Sequence, residues 1–509
     1  MRCIIKKRAS GILLHITCLP SKYGVGDLGT EAYKFADFLA KTRQSYWQVL
    51  PINPPAPVNK SWSPYNCMSA FAGNTLLISP DLLYQQGLLT REDIGDKPAF
   101  PKSYIDYEKV ITYKTKLLKK ACECFKNKSQ KKEYEGFCLE NKGWLEDFAL
   151  FAALRQHFNN RLWCNWPKEL RDRNKCDLIS IRASLQKSIE REKFLQYLFF
   201  KQWFALKDYC NQKNIKIIGD IPIYVAYDSS DVWANPEIFK LKKSKRPRFI
   251  AGVPPDLFSP TGQLWGNPVY NWNALKKTNF SWWVERTKHN LKLFDTFRLD
   301  HFRGFFGYWQ VPAGSKTAAK GRWVKGPAED FFNTLFNRLS CLPMIAEDLG
   351  YITPRIRAFM EKSNITGTRV LLFGFGRNPS DKVHFPDNYI KNSVVYTGTH
   401  DNNTIRGWFE KEADAEQKKR LFDYLGHKVT TNKIHWELIN VAEESVANLV
   451  IIPMQDILGL GQEARMNRPG KTKGNWLWRL SAAGETSAGQ ITPQISRKLK
   501  RLTQINSRG

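Results

Sequence analysis

Acidic side chains, cysteine motifs and long apolar runs are all scarce in this chain of 509 residues, and each shortage removes a class of function. The 48 Asp and Glu face 78 Lys and Arg, a net charge of +30. Such a balance attracts polyanions without specificity and bears on solubility more than on fold. The basic residues gather in KTKLLKKACECFKNKSQKKEYE (114–135), KLKKSKRPR (240–248) and SRKLKRL (496–502). None of these runs has the glycine and aromatic pattern of an RNA-binding module or the spacing of a zinc finger, so they read as solvated faces and not as a specific nucleic-acid site. The ten cysteines form no CxxC pair and no regular framework. A chain that can build its own core needs no staples, so they read as free thiols in a reducing compartment. No apolar run approaches the ~20 residues a spanning helix requires. The start, MRCIIKKRASGILLHITCLP, puts basic residues before an apolar run, but the run is brief, contains His15 and lacks a small-residue cleavage site. The expectation is a cytoplasmic, globular protein with no membrane association.

With 42% apolar and 13% aromatic residues, the chain can bury one large core or two or three ordinary ones. Eight short apolar runs read as strands: GILLHI (11–16), YWQVL (46–50), IKII (215–218), DTFRL (295–299), MIA (344–346), TRVLLF (368–373), SVVYT (393–397) and LVIIP (449–453). Helical periodicity fills the intervals, as in TEAYKFADFLAKTRQ (30–44) and in AEDFFNTLFNRL (328–339), where Phe331, Phe332, Leu335, Phe336 and Leu339 form one stripe. Thr353 can cap a further helix, with Pro354 at its first position. From about 81 to 212 strand signals almost vanish and helical spacing takes over. Eight alternating units define an α/β protein, a (β/α)₈ TIM barrel with large, mainly helical insertions, whose active site forms at the C-terminal strand ends. The expected organisation is one catalytic barrel over 1–509, with a mainly helical insertion at 60–212 after the second strand and another at 221–290 after the third.

The stretch FDTFRLDHFRGFF (294–306) sets Asp300 and His301 between Arg298 and Arg303 at the end of an apolar strand. Charges that leave a core strand need partners, so the stretch reads either as a site or as a structural ion pair of Asp300 with Arg298 or Arg303. Asp220, Glu347, Asp401 and Asp456 also fall just after predicted strands, which in a barrel directs them toward one mouth. For Asp456 a helix cap is the simpler reading. Several acids at one mouth suit glycosidic chemistry, in which one carboxylic acid protonates the leaving oxygen and a second carboxylate attacks or activates water. They would also suit Mg²⁺ or Mn²⁺. The loops SWSPYN, VPPDLFSPTGQLWGNPVYNW and GNWLWR favour sugars, because their rings offer flat apolar faces and their amides reach hydroxyls.

The motifs FRLDHFRGF, IAEDLGYITP, YTGTHDNNTIRGW, IGDIPIYVAYDSSDVW, GVPPDLFSPTGQLWGNPVY, SPYNCMSAFAGN and PMQDILGLGQEARMNRPG together resemble the amylomaltases, the 4-α-glucanotransferases of glycoside hydrolase family 77. The resemblance runs from Gly11 to about Arg479. It implies transfer of an α-1,4-glucan segment from a donor to the 4-hydroxyl of an acceptor, with maltooligosaccharides and α-1,4-glucans as partners and neither metal nor other cofactor. It further implies that Asp300 is the nucleophile, Glu347 the acid/base, and Asp401 the third acid that binds sugar hydroxyls. Arg298 and His400 would orient the nucleophile and the sugar being cleaved, and Tyr65, Asp220, Gln263, Trp265 and Asn475 would line the groove. The segment 252–265 resembles the family's flexible active-site loop. Three departures stand out: Leu257 where a tyrosine is common, VNKSW (58–62) before SPY, and Asp387 where a histidine is usual. A hydrolase of the same architecture, and a noncatalytic protein that binds glucan or polyanion, remain as alternatives.

Overall fold

A computed structural model of the chain describes residues 5, 7–56, 61–125, 131–255, 259–376, 382–471, 473–481 and 491–509. Its strands are β1 (Ala9–Leu13), β2 (Tyr46–Gln48), β3 (Lys216–Ile221), β4 (Phe249–Val253), β5 (Gln263–Pro268), β6 (Thr296–Leu299), β7 (Gly307–Pro312), β8 (Arg322–Lys325), β9 (Met344–Ala346), β10 (Thr366–Val370), β11 (Ser393–Tyr396) and β12 (Leu449–Pro453). Eight of them, in the order β1-β2-β3-β6-β9-β10-β11-β12, pair in parallel and close on β1. These are the eight runs read from the sequence. Only β9 and β12 keep the limits read from the sequence, and in two of the other runs part of the run takes a different structure. The first strand ends at Leu13, and Ile16–Cys18 turns into a short 3₁₀ segment. The sixth ends at Val370, and Leu371–Gly374 is a turn of α-helix.

Strands covered on both faces need continuous apolar runs, and LVIIP in β12 is buried throughout. Glycine sets the spacing at β3: a Cβ on Gly219 would stand 2.1 Å from the Phe294 ring, so only hydrogen lets Phe294 pack there. Helix Thr30–Lys41 turns Ala32, Phe35, Ala36, Phe38 and Leu39 inward against the barrel. Helix Ala328–Arg338 buries Phe331, Phe332 and Leu335 of the expected stripe. Thr353 does occupy the N-cap of helix Pro354–Ser363 with Pro354 at the first position, although its hydroxyl accepts no capping bond.

Between β2 and β3 run helices that include Tyr107–Phe125, Lys142–His157 and Gln186–Gln212. A second sheet, order β5-β4-β7-β8, is antiparallel and stands outside the barrel. The sequence reading gave no strands there, because GVPPDLFSPTGQLWGNP is dense in proline and glycine and its strands are half-exposed. The segment 252–265 therefore begins in β4 and ends in β5, with Gly262 at φ +67° in its turn. Leu257 and residues 58–60 lie outside the described residues, while Asp387 sits exposed in the 3₁₀ turn Pro386–Asn388. Among the described residues eight cysteines are free thiols. Cys341 is disulfide-bonded, against the expectation that all ten are free. Among the described residues no helix is long and apolar enough to cross a membrane.

Candidate active site

Strand register builds the centre. Asp220 on β3 lies directly opposite Arg298 on β6, so both side chains leave their strands at the same level and toward the barrel axis. Arg298 Nη1 donates to both carboxylate oxygens of Asp220 at 2.8 Å. One step toward the mouth, Leu299 pairs with Ala346 of β9, which puts the residues that follow, Asp300 and Glu347, side by side on neighbouring strands. Parallel strands are about 4.8 Å apart. The same guanidinium reaches both: Nη1 donates to Asp300 Oδ1 at 3.0 Å and Nη2 stands 3.5 Å from Glu347 Oε2. Of the two ion pairs open to Asp300, the structure makes the one with Arg298.

Arg298 is 4% exposed at its side chain and Asp220 not at all. A buried guanidinium is tolerable only when its charge is met, and three acids meet it here. Burial pushes the Glu347 carboxyl up to about 8, Arg298 pulls it back, and Asp300 raises it further. The His301 backbone N–H donates to Glu347 Oε2 at 2.5 Å. Burial also raises Asp220, against the opposing pull of Arg298. All the groups that touch Asp220 are donors, Arg298 N–H and the Tyr65 hydroxyl at 2.8 Å, which is the contact set of an ionised carboxylate.

Tyr65 connects this cluster to the next strand end. Its hydroxyl is 3.4 Å from His400 Nδ1 and its ring stacks on the His400 ring at 4.9 Å. His400 Nε2 is 3.4 Å from Asp401 Oδ1. Burial lowers His400, and Asp401 opposes that shift. Asp401 is fixed from behind by Asn467, whose amide donates to Oδ1 at 2.6 Å, and by Arg465, which donates to its carbonyl at 2.7 Å.

Arg298, Asp220, Asp300, Glu347, Tyr65, His400 and Asp401 are thus joined by direct contacts. Trp265 stands against this group through a perpendicular contact with the His301 ring at 4.9 Å, and its indole N–H donates to Gln263. Asn475 spends its hydrogen bonds on its own loop, with the backbone of Arg468 and Lys471. Asp456 does not join the cluster. Its carboxylate accepts from the Thr397 hydroxyl and the Ile405 N–H and ties β12 to the start of helix Ile405–Lys411, close to the cap role weighed for it.

Trp476, in the GNWLWR loop read as sugar-facing but not singled out there, has its ring 5.8 Å from Tyr65 and 5.9 Å from His400. Sequence reasoning missed Asn467 and Arg465, although both lie in the motif PMQDILGLGQEARMNRPG. A donor fixed beside one acid and a buried, raised second acid is an arrangement able to make and break an acetal.

Comparison with known proteins agrees. A family model described as 4-alpha-glucanotransferase matches residues 14–484. The 4-alpha-glucanotransferase of Aquifex aeolicus is 48% identical over 93% of this chain and 95% of its own length. That of Clostridium butyricum is 45% identical over 97% and 100%. The amylomaltase of Streptococcus agalactiae, solved in complex with acarbose, superposes with a TM-score of 0.94 at 39% identity, covering 99% of this chain and all of the other. The chain belongs to the 4-α-glucanotransferases of glycoside hydrolase family 77.

Proposed function

We propose that this 4-α-glucanotransferase moves an α-1,4-glucan segment by a retaining double displacement in which Asp300 is the nucleophile and Glu347 the acid/base. Asp300 attacks the anomeric carbon while Glu347 gives its proton to the departing 4-oxygen, so the glycosidic bond breaks as the ester to Asp300 forms. The acceptor's 4-hydroxyl then attacks the ester, Glu347 takes its proton, and Asp300 leaves as carboxylate. The observation that carries this reading is the register of β6 and β9, which sets the two carboxyl groups level on adjacent strands. Their environments divide the roles. Burial raises the Glu347 carboxyl, which suits a proton donor, whereas Asp300 is oriented by the 3.0 Å bond from Arg298.

In this reading Asp401 holds sugar hydroxyls beside the reacting carbon. Arg298 and His400 orient the nucleophile and that sugar, and Tyr65, Asp220, Gln263, Trp265 and Asn475 line the groove. Asn475 acts there through its loop, which carries Trp476. Maltooligosaccharides and longer α-1,4-glucans are the donors and acceptors, in the cytoplasm. The chain is one catalytic barrel in which 60–212 and 221–290 are insertions, and the 252–265 hairpin shields the ester from water.

A glucosyl fluoride tests the assignment, because its leaving group needs no proton. With Glu347→Gln the first step proceeds and the second lacks its base, so a glucosyl ester accumulates. Peptide mass mapping should find it on Asp300; an ester on another residue, or none, contradicts the proposal.

A further inference from the structure

Strand β9 stops at Ala346, just before Glu347, and its ladder with β10 stops there too: Ile345 lies opposite Thr366 and Ala346 opposite Gly367. One step on, Thr368 stands level with Glu347 and continues the attachment by other means. Its hydroxyl donates to the Ala346 carbonyl at 2.9 Å, and its backbone N–H donates to Asp348 Oδ1 at 2.6 Å. Both chain neighbours of Glu347 are therefore held by one residue of β10. Thr368 and Asp348 are buried, so water hardly competes for either bond.

Arg369 completes the clamp. Its Nη1 donates to Asp348 Oδ2 at 3.2 Å and to the Thr368 carbonyl at 2.7 Å, which meets the charge of that acid and fixes the peptide after Thr368. Gly367 leaves room for the carboxylate, since a Cβ there would stand 2.8 Å from Asp348 Oδ2. On the opposite flank the β6 side holds the Glu347 backbone itself: its N–H donates to the Leu299 carbonyl at 3.1 Å, and its carbonyl accepts from the Phe302 N–H at 3.2 Å. An acid/base must meet the glycosidic oxygen within hydrogen-bond reach, and a misplacement of about 1 Å can cost roughly 100-fold in rate. Resting on the acid/base role proposed for Glu347, we infer that Thr368 and Asp348 are positioning residues, which fix the Glu347 backbone, and through it the carboxyl, from the β10 side.

The test compares two donors in the full-length protein: maltotriose, whose leaving oxygen needs a proton, and a glucosyl fluoride, whose leaving group needs none. The ratio of the two kcat/KM values does not depend on the fraction of molecules that fold. Thr368→Val keeps the shape and removes the hydroxyl; its kcat/KM for maltotriose should fall by roughly 10- to 100-fold while that for the fluoride changes by less than about threefold. Thr368→Ser, which restores the hydroxyl, should keep the ratio of the unaltered protein. Equal losses with both donors, or none with either, overturn the clamp. If Thr368→Val yields no folded protein, Asp348→Asn, which turns an amide N–H toward Arg369, decides by the same ratio. Glu347→Gln is measured alongside: a ratio unmoved there would instead overturn the acid/base role on which the inference rests.

Discussion

At the scale of single residues the site is organised by Arg298, one guanidinium that touches Asp220, Asp300 and Glu347. Its fixed charge lets three acids sit together with different tasks. In the proposed mechanism Glu347 holds a proton for the first step, and burial raises its carboxyl to about 8. Below that pH the acid form predominates, and as pH rises through it the proton is lost. The kcat/KM of the unaltered enzyme should therefore fall on the alkaline side with a midpoint near 8. Glu347→Gln should lower turnover of maltooligosaccharides by roughly 100- to 10,000-fold and abolish that alkaline limb, with the circular dichroism spectrum unchanged. A variant that kept the limb would give the titration to another group. The sequence showed the acids but not their partners. Nothing in FRLDHFRGF tells that Arg298 points to the axis while Arg303 turns to an indole, since that depends on register and on a sheet built from distant residues. The partners of Trp476 were hidden for a similar reason: it reaches Tyr65 and His400 from a backbone with φ +66°, which spacing does not reveal.

At the scale of elements, the eight barrel strands were legible because burial on both faces demands apolar runs, and β9 and β12 have the limits read from the sequence. The four outer strands were not, because half-exposed strands with glycine and proline look like loop. The far end of the barrel is closed by the C-terminus. Helix Pro493–Ile505 leads to Arg508, fully buried, which donates to the carbonyls of Glu443, Ala447 and Ser445 at 2.7 to 2.8 Å and stands 3.4 Å from the Glu443 carboxylate. Arg508→Ala removes the Ala447 carbonyl's donor and the cation beside the Glu443 carboxylate, leaving Ser10 on that acid and Arg8 on the Glu443 and Ser445 carbonyls. It should cost about 3–5 kcal/mol in denaturant unfolding, while the turnover per folded molecule stays close to normal because the site is at the opposite mouth. Unchanged stability would show that the Arg508 contacts contribute nothing net.

For the whole molecule, closure of the sheet converts residues that are distant in sequence, from Tyr65 to Asp401, into one connected cluster. The acids alone would serve water as readily as sugar. What separates transfer from hydrolysis is how well the walls around the ester exclude water and present a second glucan, the part proposed for the segment 252–265. The charge of +30 enters none of these steps. Incubation with pure maltotriose, followed by chromatography of the products, measures the balance directly. The account predicts glucose together with a ladder of chains longer than the starting sugar; shortened products alone, with no chain longer than maltotriose, would contradict it.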